Sequence, residues 1–174
     1  MITFAPKSIT MLKEFKDLAP EEATLMMDAI PLVTILVAGA DGEMDEVELA
    51  EAKRIVDIRS FDTGGQLHDF YELLEQPLAG RIVELAKELP HDVTERQKAI
   101  SERLAGLNNI LPKLRQPLNY LYYSSFRSFA KHIAKSSGGF LRFMTVSPEE
   151  AEVVNLPMIS PVEKPDERDF PNLL

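Results

Sequence analysis

Apolar residues recur along most of the chain at three- and four-residue steps, the period of a helix packed on one face. Ile9, Leu12, Phe15 and Leu18 keep that spacing behind an N-cap at Ser8 or Thr10, which predicts a short amphipathic helix. Pro20 then stands where a first-turn proline belongs, and Glu21 and Glu22 suit the positive end of a new helix dipole. That helix continues into the run AIPLVTILVAGA (29–40), where Pro31 either kinks or restarts it. Beyond Gly42 a helix begins near Asp45 with Val47, Leu49, Ala52, Ile55 and Val56 as its apolar stripe. Thr63-Gly64-Gly65, Pro77 and Pro90 punctuate two further segments, 67–75 and 78–89. Thr94-Glu95 opens another, carrying Ile100, Leu104, Leu107 and Leu111, and Pro117 precedes a long one running to Gly138-Gly139. Ser147-Pro148-Glu149-Glu150 has the cap, proline and glutamate of a last helix start. The pattern predicts an all-α fold, a single bundle of about seven to eight helices over residues 1–159. The proline- and charge-rich stretch 160–174 is expected to be a mobile tail.

Composition changes this picture little. The 174 residues are 45% hydrophobic and 27% charged, ordinary for one globular domain. There is no cysteine, so no disulfide, which fits a reducing compartment. No signal peptide is apparent in MITFAPKSIT, and the twelve-residue apolar run is too short to span a bilayer, so we expect no transmembrane segment and a cytoplasmic location. The net charge of −9 argues against a DNA-coating role. It is unevenly spread. Eight Lys and Arg face one acid, Glu102, between Lys98 and Arg142, a balance of +7 that leaves −16 on the rest. Such asymmetry points to complementary faces or to a face offered to a partner.

The densest chemistry is acidic. Six carboxylates fall between Asp41 and Glu51, and like charges so close repel unless a cation relieves them. Asp41, Asp45 and Glu48 across the Gly42 turn give the hard oxygen donors that a divalent cation prefers. An EF-hand alignment on Gly42 fails, because its first and third positions become Val37 and Gly39, without side-chain oxygens. Helix capping accounts for the same residues: Asp45 and Glu48 have capping-box spacing, and acids favour a first helical turn. Both readings stand at this level.

The stretch ILVAGADGEMDEVELAEAKRIV resembles the first signature of the TerB family of tellurite-resistance-associated helical domains. FAKHIAKSSGGFLRFMTVSPEEAEVV resembles its second copy, with Ser137 where the signature has Asp and about six additional residues before Ser147. The resemblance implies a helical pseudo-repeat whose acids gather into a metal-binding patch, here Asp41, Asp45, Glu48 and, from the second copy, Glu150. The implied cofactor is Ca²⁺ or another divalent cation, weakly held.

A second candidate lies on the helix after Pro117. Leu118, Leu121, Tyr122, Ser125, Phe129 and Ile133 should face the core. Arg127, Lys131 and Lys135 recur every four residues on the other side, with Tyr120 and Tyr123 extending the stripe. A basic, aromatic face of this kind suits an acidic partner or a phosphate; a merely solvated face has the same pattern. His68, His91 and His132 form no HxxxH or HExxH arrangement, and G-x-S-x-G and phosphate-loop contexts are absent from the sequence. We therefore expect a non-enzymatic, stress-linked TerB-like module that binds a divalent cation at the acidic turn. The alternative is a metal-independent scaffold that meets a protein partner, not DNA, through Tyr120, Tyr123, Arg127, Lys131 and Lys135.

Overall fold

The structure is a computed structural model that describes residues 12–38, 46–61, 65–136, 153–166 and 168–170; of Val47, Glu48 and Ser136 it describes the backbone alone. The fold is all-α. Six helices of eight or more residues are present among the described residues: α1 Pro20–Ala38, α2 Glu46–Phe61, α3 His68–Glu75, α4 Leu78–Glu88, α5 Val93–Ala105 and α6 Leu118–Ser136. One helical turn, Leu107–Ile110, leads through a 3-10 turn toward α6, and a further 3-10 turn covers Val153–Asn155. The start of the helix expected at Ser147, through Glu150, lies outside the described residues. The short helix expected from Ile9 is described from Leu12, where it is the 3-10 turn Lys13–Phe15. Among the described residues no helix is long and apolar enough to cross a membrane.

α1 is the central element because it is apolar on all sides. Every residue from Met26 to Ala38 is buried, and the helix runs unbroken through Pro31. Its start is fixed by Glu22, whose Oε2 accepts from the Ala19 amide at 3.0 Å, satisfying a donor that the first turn cannot. Thr34, fully buried, donates to the Ile30 carbonyl at 2.9 Å, so its hydroxyl is not left unpaired. α4, α5 and α6 pack around α1, while α2 pairs with α3 and leans on α6.

Two polar ties cross this core. Asp28 of α1 is 7% exposed and takes a bidentate pair from Arg81 of α4, Nε to Oδ1 and Nη2 to Oδ2, both 2.7 Å. Tyr122 of α6 donates to Glu14 Oε1 at 2.9 Å. Its ring meets Phe15, Phe70 and Phe126 at centroid separations of 5.6, 5.0 and 5.9 Å, which fastens the N-terminal turn to α3 and α6.

Of the stretch 160–174, expected to be a mobile tail, the part from Ser160 to Pro165 touches the bundle at Ser160, Val162 and Pro165. Asn108 holds both sides of the junction: Nδ2 donates to the Met158 carbonyl at 2.9 Å, and Oδ1 accepts from the Ser160 amide at 2.7 Å. Val162 is half-buried against the core and Pro165 is buried. Just before this strap, Leu156 adopts φ 51°, a left-handed conformation that costs a non-glycine residue about 1 kcal/mol or more. Its side chain is 0% exposed, and that burial holds the turn.

Candidate functional site

α6 offers its outer face because its inner face is taken by the core. Tyr122, Phe126, Phe129, Ala130 and Ile133 are 0% exposed, and a helix so anchored must turn the intervening positions outward. Leu118, Leu121 and Ser125, expected inside, are only half-buried, at the flanks. Tyr120, Ser124, Arg127 and Lys131 recur at four, three and four residues and share one side. With Tyr123 and Ser128 they form one wall of an open cavity of about 400 Å³. Pro161, Val162 and Lys164 of the C-terminal strap form the other.

The basic–aromatic stripe is thus one side of a groove. Tyr120, Tyr123, Arg127 and Lys131 line it; Lys135 is exposed one turn beyond and does not. Tyr123 is 7% exposed, more buried than an outward stripe predicts. The reason is Arg127, which stacks over the Tyr123 ring with its Cζ 5.4 Å from the centroid and donates Nη1 to the tyrosine hydroxyl at 3.0 Å. Arg127 is itself aimed by the strap: its Nε donates to the Asn155 carbonyl at 3.1 Å, immediately before the strained Leu156. Three cationic side chains border the groove, and no Asp or Glu is among the described residues that line it.

Behind this wall sits a residue that sequence spacing did not single out. Arg59 of α2 is half-buried between α2, α3 and α6. Nη1 donates to the Tyr71 hydroxyl at 2.6 Å and to the Ser125 hydroxyl at 2.9 Å, and Nη2 donates to the Ser128 hydroxyl at 3.0 Å. Its Cζ lies 5.2 and 5.6 Å from the Tyr71 and Phe129 ring centres. No carboxylate pairs with it among the described residues, whereas Arg54, Arg81, Arg103 and Arg168 each meet one.

Asp41, Asp45 and Glu150 lie outside the described residues, and Glu48 is described only as a backbone position of α2. Among the described residues, His68, Asp69 and Glu72 bring potential ligand atoms within 4.8 Å of one another. These three share the first turns of α3, where His68–Glu72 and Asp69–Glu72 are i, i+4 and i, i+3 pairs that any helix sets side by side. His68 Nε2 stands 3.9 Å from Glu72 Oε2, and its buried Nδ1 has no hydrogen-bond partner among the described residues.

Comparison with known proteins gave no matching family model, no matching curated protein and no matching solved structure. The TerB resemblance therefore rests on the two quoted stretches alone.

Proposed function

We propose that this protein is a binding module whose groove between α6 and the C-terminal strap holds an acidic segment of a partner protein. The observation that carries this reading is the convergence of Arg127, Lys131 and Lys164 with Tyr120 on one concavity that no Asp or Glu lines among the described residues. In a chain of net charge −9, a basic concavity has to be assembled against the background field, and it steers and orients a ligand of opposite sign. Tyr120 and Val162 add apolar contact, giving shape selection beyond charge. The test is fluorescence anisotropy with a labelled Asp/Glu-rich nonapeptide. Arg127→Glu with Lys131→Glu should weaken binding at least about tenfold, the scale of losing buried charge-assisted contacts. Unchanged affinity in that double variant refutes the groove.

A second reading, weak calcium binding by Asp41, Asp45, Glu48 and Glu150, has its support in the six crowded acids of 41–51 and in the TerB resemblance. It predicts a rise in melting temperature with Ca²⁺ that is lost when the four acids become amides. At a hundredfold excess over the dissociation constant the gain is about 2.7 kcal/mol. A melting temperature that ignores Ca²⁺ rejects this reading and leaves the groove untouched.

A further inference from the structure

We propose that the groove's ligand carries a phosphoryl group, a phosphorylated side chain on the partner segment, and that Arg59 is the positioning residue that readies the groove for it. This rests on the groove being the binding site for that segment.

The argument starts from the cost of Arg59. A guanidinium half-buried between two aromatic rings gives up hydration, and proteins ordinarily compensate such a charge with a carboxylate. Here the acceptors are hydroxyls and one carbonyl: Tyr71, Ser125 Oγ, the Ser125 carbonyl at 3.2 Å, and Ser128. Among the described residues the charge is solvated but not neutralised.

Its effect falls on Ser128, which also lines the groove. A serine hydroxyl has one proton to give and two lone pairs. Because Ser128 Oγ accepts a cationic N–H from Arg59, its own proton must be directed elsewhere, and the charged donor polarises it. Arg127 repeats the device on the opposite flank. It donates to the Tyr123 hydroxyl, leaving the phenolic proton to give, and retains N–H groups on Nη1 and Nη2 that no described residue accepts. Two guanidinium groups thus turn two wall hydroxyls into donors, beside the Lys131 ammonium.

A wall of donors, with no carboxylate among the described lining residues, matches a group that only accepts. A phosphoryl group brings three terminal oxygens and a charge of about −1.5 to −2 at neutral pH, against two oxygens and one charge for a carboxylate. A peptide fits better than a lipid headgroup. The groove is walled by Pro161 and Val162, and the net charge of −9 repels an anionic bilayer.

The experiment titrates the full chain against a fluorescein-labelled acidic nonapeptide whose central residue is serine, glutamate or phosphoserine. Phosphatidylcholine vesicles with 5% phosphatidylinositol bisphosphate form a separate arm. We expect the phosphoserine peptide to bind about tenfold or more tightly than the glutamate peptide. Ser128→Ala and Arg59→Met should each cut that preference, the ratio of the two peptide affinities in the same variant, to about threefold or less. Melting curves verify folding, and Ser128→Ala carries the test should Arg59→Met not fold. Equal affinity for the glutamate and phosphoserine peptides overturns the proposal and leaves the groove standing. A preference that survives in every folded variant overturns the role of Arg59. Vesicle binding without peptide binding, or binding of none of these probes, overturns the proposal and the groove reading together.

Discussion

Asp28 is an acid inside a helix whose next ten residues are all buried, and it is stable there because Arg81 meets both of its oxygens. The side chains are 10% and 14% exposed, so screening is slight. Asp28→Ala should cost about 2 kcal/mol in urea unfolding, because it removes both short charge-assisted bonds and leaves Arg81 only Glu84 at 3.3 Å and Glu88 at 3.9 Å. Replacing both partners by leucine should recover most of that loss. Two other residues add a pH dependence to stability. The Lys113 ammonium and the Ala19 amide hold the Glu22 carboxyl below its usual range. A lowered folded pKa adds stability above the unfolded value, lost as pH falls through the folded one. Glu22→Gln should therefore flatten the acid limb of a stability profile between about pH 5 and 3, read by urea midpoints. Burial first, and then the neighbouring Glu14 carboxylate, push the Tyr122 hydroxyl well above its usual value. Its stabilising effect is complete below about pH 10 and declines as pH rises beyond it. Tyr122→Phe should lessen that alkaline loss, even though it gives up the bond to Glu14.

At the level of elements, legibility followed the strength of the apolar period. The run 29–40 reads as a buried helix in sequence, and α1 is buried on every side; packing against three helices outweighs the missing amide of Pro31. The N-terminal helix was legible only as an apolar pair. Leu12 and Phe15 are both buried, but Glu22 and Pro20 set a new start four residues after Lys16, leaving no room for a second full turn. Ile100, Leu104, Leu107 and Leu111 are all buried as one stripe, yet the helix breaks at Gly106. The close packing there leaves room for glycine alone. A Cβ on Gly106 would sit 2.9 Å from Leu25 Cδ2 and 3.0 Å from the Arg103 carbonyl oxygen. The leucine tip can swing away but the carbonyl cannot. Gly106→Ala should destabilise by about 1 kcal/mol despite alanine's better helix propensity, measured as a shift in urea midpoint at constant slope.

At the scale of the molecule, the groove was half legible. The α6 wall announces itself as Tyr120, Arg127 and Lys131 on one helical side. The second wall has no period to read, since an extended proline-rich strap is placed by tertiary contacts alone, and Arg59 reaches Ser128 only because α2 packs on α6 across 69 residues of sequence. The strap is thus the wall whose release tests the proposed binding most directly. Its anchor, Asn108, lies outside the groove lining, so it separates the wall from the charges on it. Asn108→Ala removes two hydrogen bonds of about 1 kcal/mol each and frees the segment through Pro161, Val162 and Lys164 to leave α6. Acidic-peptide affinity should fall about fivefold or more, with Arg127 and Lys131 intact, and the hydrogen-bonded Ile159 and Ser160 amides should exchange faster with solvent. Asn108→Asp keeps the acceptor for the Ser160 amide and loses the donor to the Met158 carbonyl, so its affinity should lie between wild type and alanine. If the amides exchange faster and affinity does not move, the groove binds through α6 alone and the strap is only a neighbour.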